Sequence, residues 1–296
     1  MEQEPQEIKK NWHDRNYKLL LLIPLVILIF SFVYLGNFQA KNGDFVYKDI
    51  SLTGGTSVTV HDQVDIADLE QSVIDQLDEI SIREIYDIVT NEQKAVVIET
   101  KSDADTTRQV LEDYLGYELN EENSSFEFTS SSLSEGFYKQ LLIAILIAFI
   151  FMGIVVFIIF RTAIPSAAVI LSAFANILMT LVVVNLLEIK MSTAGIVAFL
   201  MLIGYSVDTD ILLTTRLLKR REGTLNERIK SAMKTGMTMT LTSLLAFVIA
   251  LLIVKSFSSV LAQIFTILSI GLAFDLLNTW ITNVSILKWY VKKKNG

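Results

Sequence analysis

The chain has 296 residues, 52% of them hydrophobic, and a mean hydropathy of +0.48, which excludes an ordinary soluble domain and points to an integral membrane protein. Cysteine is absent, so a disulfide framework, a thiolate metal site and a cysteine nucleophile are all excluded; His13 and His61 lie in different segments, which argues against a histidine-built metal site or a Ser-His-Asp triad. The net charge of −7 is unevenly spread, and its distribution is more informative than its total.

Met1 to Lys18 (1–18) is polar and mixed in charge, and reads as a cytoplasmic tail. Leu19 to Leu35 is almost wholly apolar, long for the core of a signal peptide and followed by no small-residue cleavage site, so a retained first span over 19–36 is expected. Pro24 sits near its start, where a missing amide donor costs least.

The stretch 37–139 is different material. It holds 22 of the 32 Asp and Glu but seven of the 25 Lys and Arg. Its apolar spacing is that of a small water-soluble domain: strands at Thr56–His61, Ile82–Val89, Ala95–Ile98 and Ser125–Thr129, and helices at Ile66–Leu77 and Thr106–Leu115. Asn91-Glu92-Gln93-Lys94 reads as a hairpin turn. The order β-α-β-β-α-β is the split, ferredoxin-like arrangement. Gly54-Gly55, just before the first strand, marks a turn or a close backbone approach.

Five further apolar runs follow within 140–288: Leu141–Phe160, Ala163–Leu187, Thr193–Leu213, Met237–Val254 and Val260–Leu287, with 289–296 as a second tail. The expected fold is thus an α-helical membrane protein with six transmembrane helices plus an α+β ferredoxin-like domain inserted after the first. The basic residues orient it. With the N-terminus cytoplasmic, sixteen Lys and Arg fall on the cytoplasmic side, seven of them between Arg216 and Lys234, whereas the two short outer loops hold only Lys190 and Lys255. Both termini are then cytoplasmic and 37–139 lies outside the cell membrane.

Three ionisable residues lie deep in the spans: Asp208, Asp210 and Asp275. A charged carboxylate at a helix centre costs roughly 2.5–3.5 kcal/mol, so such acids are functional candidates, proton relays above all. Asp208 and Asp210 are about 200° apart on a helix and cannot both face one site. Asp208, the deeper, is the expected working carboxyl, with Asp210 expected to be partly solvated and paired with a nearby base or helix end. Asp275 begins a polar stripe with Asn278, Thr279, Thr282 and Ser285, the surface expected to face Asp208; Thr235, Thr238 and Thr242 form a similar stripe on the fifth span. Their plainer role is hydrogen-bonded helix packing. No P-loop, dinucleotide fingerprint or zinc spacing occurs, so neither an enzyme, a cofactor, a metal site nor a nucleic-acid partner is implied, and work must come from an ion gradient or from partners.

Leu52-Thr53-Gly54-Gly55-Thr56 after the first span, Ile203-Gly204-Tyr205-Ser206-Val207-Asp208 running on to Arg216 in the fourth, and the plan of one span, a domain and five spans together resemble the SecF family of Sec protein-export subunits, in its archaeal form. The likeness covers nearly the whole chain, and the fourth-span motif is its specific part. Ser51 and Leu52 stand where bacterial members have an acid and an aromatic residue; the bacterial fourth-span acid aligns with Thr209, whereas Asp208 aligns with the acid of the sister subunit SecD. The resemblance leaves the working carboxylate open between Asp208 and Asp210. It implies half of an RND-type transporter, SecD as partner, the SecY translocon nearby, a translocating polypeptide as client, and proton-motive force moving the domain outside the membrane lipid. Two other readings are a half-transporter for lipids or small molecules on the same plan, and a scaffold of a membrane complex in which the acids are dispensable.

Overall fold

The computed structural model describes residues 19–87, 90, 92–219, 222–256 and 258–295. The tail 1–18, Ile88 and Val89 at the end of an expected strand, Asn91 of the expected turn, and Arg220 and Arg221 lie outside the described residues.

Helix α1 (Leu22–Asn42) ends at Gly43, whose φ of 76° supplies the left-handed cap. A short α2 (Ile50–Thr53) follows, then β1 (Gly55–Val60), α3 (Ile66–Val73), β2 (Ser81–Tyr86), β3 (Gln93–Thr100), α4 (Ala104–Leu115) and β4 (Ser124–Thr129). The remaining elements are α5 (Ser131–Phe160), α6 (Ala163–Leu186), α7 (Thr193–Leu218), α8 (Leu225–Val254), α9 (Ser259–Leu277), a π-helical turn Asn278–Asn283, and α10 (Val284–Asn295). Among the described residues six helices are long and apolar enough to cross a membrane, as read from the sequence.

The four strands form an antiparallel sheet in the order β2-β3-β1-β4, the ferredoxin-like order expected from the element sequence. Asp65 and Asp103 accept hydrogen bonds from the first amides of α3 and α4 and so start both helices. Val58, Val60, Leu69, Val73, Val96, Ile98 and Leu111 form a core between the two helices and one face of the sheet. The other face looks toward one end of the membrane bundle. There the Tyr86 amide donates to the Ser256 carbonyl at 2.9 Å. A crevice of about 260 Å³ separates Ser57, Arg83 and Glu99 from Ser192, Ser259 and Gln263. Glu99 is 8% exposed and ion-paired with Arg83. Burial holds its carboxyl above the usual glutamate range, against the pull of the Arg83 charge.

Two glycines join the sheet to the bundle. Gly54 has φ +83°, and a Cβ there would fall on the backbone of Ser131; Gly55 has φ +145°, and its Cβ would fall on the Thr100 carbonyl. The chain thus enters β1 between the start of α5 and the end of β3. Thr56, fully buried, then donates its hydroxyl to the Ser102 carbonyl at 2.7 Å. A second tie links the Phe45–Asp49 segment to the α6–α7 connection: Met191 donates to the Tyr47 carbonyl at 2.6 Å and Asp49 to the Met191 carbonyl at 3.0 Å.

Several element bounds differ from those the apolar runs predict. The helices α1, α5 and α8 extend beyond the apolar runs, because hydropathy marks only the part of a helix that needs a membrane, about 20 residues. Most of the expected 214–236 loop is helical: α7 continues to Leu218, and α8 starts at a capping box made by Thr224 and Glu227. Helix α3 stops at Val73, short of the expected Leu77, and β3 starts at Gln93, inside the expected turn.

Candidate functional site

Helices α7, α8 and α9 pack on one another, and α6 closes the cluster against α7 and α9. On α7 the inward positions are Leu202, Ile203, Ser206, Thr209, Asp210, Leu213 and Leu217, all buried. On α9, the π turn and the start of α10, Asp275, Asn278, Thr279 and Asn283 are fully buried, with Thr282 and Ser285 nearly so; Asp275, Thr279 and Asn283 face α7, whereas Asn278 and Thr282 face α6 and α1. The stripe read from the sequence is therefore buried. Across it, Ser206 donates to Asp275 Oδ1 at 2.6 Å and Thr209 to Asp275 Oδ2 at 3.0 Å. Thr279 donates to Asp275 Oδ1 at 3.4 Å from one turn away on its own helix. Asn283 Nδ2 donates to Asp210 Oδ1 at 2.7 Å. Thr279, which bonds Asp275, and Ser172 stand beside Asp210.

The placement of the two fourth-span acids is the reverse of the expectation. Asp210 is 0% exposed in the centre of the bundle, not partly solvated. Nor does it pair with Arg216, whose guanidinium instead clamps α8, donating to the Ser231 carbonyl at 2.6 Å and the Ser231 hydroxyl at 2.8 Å. Asp208 is exposed on the outer surface of the bundle, on the face that carries Met201, Gly204 and Tyr205. It does not meet the Asp275 stripe, which is bonded to Ser206 and Thr209. The reason is the 100° step per residue: once Ser206 and Asp210 face inward, Asp208 must face out. Val207 packs with Val156, Val169 and Ala173 on the α5 and α6 side. Gly204 has open space around its Cα. On α8, Thr235, Thr238 and Thr242 bond to carbonyls four residues earlier on their own helix, and Thr238 and Thr242 are exposed, so they do not contribute to the buried cluster.

Two residues, Asn283 and Ser172, join the cluster unannounced. Asn283 lies eight residues beyond Asp275, about 80° off its face on a regular helix. The π turn Asn278–Asn283 winds more widely and rotates each residue less, which returns Asn283 to that face. No pattern of apolar residues signals such a turn. Ser172 and Asn176 of α6 are also fully buried; their four-residue spacing inside an apolar run was the available signal. Among the described residues Asp210 Oδ2 and both amide atoms of Asn176 make no hydrogen bond. Such a cluster of carboxyls, hydroxyls and amides away from water can take up or release a proton only by rearranging its hydrogen bonds.

Residues 110–293 match the family model described as protein export membrane protein SecD/SecF, C-terminal. A protein-export membrane protein SecF of Methanocaldococcus jannaschii is 40% identical over 284 residues, which cover 94% of this chain and 96% of that one. The chain belongs to the SecF family of protein-export membrane proteins. A second SecF, from Methanothermobacter thermautotrophicus, is 37% identical over 95% of both chains. The crystal structure of SecDF, a translocon-associated membrane protein from Thermus thermophilus, superposes with a TM-score of 0.69 over 99% of this chain at 18% identity, which shows a shared fold. The chain spans 40% of the SecDF chain's length. Family membership makes it a multi-pass membrane protein with an auxiliary part in protein export.

Proposed function

We propose that this SecF is one half of a SecD–SecF assembly that uses the proton-motive force to assist a translocating polypeptide at a SecY channel, and that Asp210 and Asp275 are the carboxyls through which a proton passes. The supporting observation is their joint burial, on two different helices, in a network that includes the π turn. One carboxyl would be costly to bury charged, and two in one cluster more so. Loss or gain of a proton would therefore favour different pairings among Ser206, Thr209, Thr279 and Asn283, and so different packings of α7 against α9. The α8–α9 connection bonds to β2, and α9 carries Gln263 at the crevice below the sheet, so a shift of α9 reaches the α+β domain directly. The domain, over 37–139, lies outside the cell, and the tails 1–18 and 289–296 inside, in keeping with the basic residues around Arg216–Lys234 and Lys292–Lys294.

Asp208 has a different part on this reading. An acid exposed on a membrane-facing surface is costly in lipid. It is better placed against polar groups of SecD, with Thr238 and Thr242 of α8 also exposed. The test is gradient-dependent stimulation of export in vesicles carrying the whole assembly. Asp210→Asn and Asp275→Asn should each abolish it while the assembly still purifies intact. Full stimulation in both variants would remove the pair from the mechanism.

A further inference from the structure

A cavity of about 410 Å³ lies between α1, α5, α6 and α7, at the end of the bundle nearest the sheet domain. Its walls include Gly36, Leu142, Ile145, Ile177, Leu181 and Phe199, and its roof is Phe45, Val46 and Met191. The lining is apolar throughout save for Tyr138, whose hydroxyl is turned away to donate to Asp44 at 2.8 Å. The volume falls in the range of about 300–1,000 Å³ that accommodates a bound small molecule. Helices α1 and α5 both pack on α6 but hardly touch each other, and the cavity opens sideways through the gap between them. Gly36 contributes to that opening, with nothing within 4 Å of the position its Cβ would take.

We propose that this cavity is a binding site for one hydrocarbon chain of a membrane lipid, entering from the bilayer between α1 and α5. Three observations select that occupant. The cavity offers no group to hold water, and apolar cavities of this kind stay dry and take apolar ligands. Two exposed residues of candidate spans, Phe32 of α1 at 53% and Leu142 of α5 at 43%, stand at its mouth, which opens toward the bilayer where these helices cross it. A sister subunit is the less fitting occupant, because Phe199 in the cavity wall and Asp208 on the exposed polar face are nine residues apart and about 180° around α7. A partner docked on Asp208 therefore sits across the bundle from the opening. The roof of the cavity is the Met191–Tyr47 and Met191–Asp49 tie, so a bound chain packs beneath the joint between the sheet domain and the spans.

The experiment uses the full-length protein with its partners in bilayers containing a phospholipid that carries a photoreactive diazirine midway along one chain. Adducts on the peptides containing Leu142–Ile145 and Ile177–Leu181 should exceed those on the more exposed Leu245 and Leu252 of α8 by about tenfold. Gly36→Phe, which fills the cavity, should reduce the first set to the level of the second and leave α8 labelling unchanged. Leu142→Trp should do the same from the α5 side, which guards against a folding defect peculiar to Gly36. Even labelling of all lipid-facing helices, or labelling that persists in both filled variants, would overturn the proposal. So would a partner helix that cross-links to a cysteine at Leu142 in place of lipid.

Discussion

Asn283, the last residue of a π turn, donates its side-chain amide to Asp210 across 73 residues of sequence at 2.7 Å. This bond joins the two halves of the buried cluster, since Asp275 is held from α7 by Ser206 and Thr209 while Asp210 is held from the π turn that follows α9 by Asn283. Asn283→Leu should therefore cost about 1–3 kcal/mol through the stranded carboxyl. Asp210→Asn in the same background should recover much of that loss, because a neutral amide is cheaper to leave without a partner. Thermal unfolding of the purified protein in detergent measures both. Additive losses in the double variant would argue that the two residues do not interact.

The cysteine-free chain makes the placement of the two neighbouring acids directly measurable. In Asp208→Cys, the thiol should react quickly with a small maleimide when the protein is alone in detergent, and should be protected, or cross-link, once SecD is bound. In Asp210→Cys it should react slowly in both states. Equal reactivity at the two positions would contradict the packing, and equal reactivity of the residue 208 thiol with and without SecD would contradict the docking face.

The close approach of α9 to α7 sits one turn from Asp275. A Cβ on Gly271 would run into both terminal methyls of Leu202, which is itself fully buried. Gly271→Val should destabilise the bundle by about 1–3 kcal/mol. Pairing it with Leu202→Ala should restore part of the loss, because the smaller residue receives the added methyls. Measured by thermal unfolding, a double variant no better than the worse single one would show that the clash is relieved elsewhere.

Glu99 gives a pH dependence of known sign. Burial raises its carboxyl above the ordinary value of 4.5, with Arg83 and Lys190 opposing and Asp49 reinforcing the rise. The folded domain therefore holds this proton at a pH where the unfolded chain has lost it. Its contribution to stability is full below the ordinary glutamate value and falls as the pH climbs through the raised one. Hydrogen exchange at the β1 and β3 amides should show protection in wild type declining across that window relative to Glu99→Gln, which cannot titrate. Parallel profiles for the two proteins would show that Glu99 keeps its ordinary value.

What the sequence by itself determined is what depends on neighbours along the chain and on the solvent. Twenty-residue apolar runs can only be satisfied in a bilayer, so the six spans were legible, and the alternation at Val58–Val60 against the helical spacing of Ile66–Val73 announced a sheet domain of β-α-β-β-α-β order. The polar positions from Asp275 to Ser285 were legible as a stripe, and the structure buries them. Tertiary structure alone decided which carboxyl that face meets. Asp208 and Asp210 are two residues apart in equally apolar surroundings, and only the rotation of α7 against α9, set by contacts such as Gly271 on Leu202, turns Asp210 inward and Asp208 out. The π turn adds a second such decision. It brings Asn283 into line by changing the helical step over six residues, which depends on how that segment packs and not on its hydropathy.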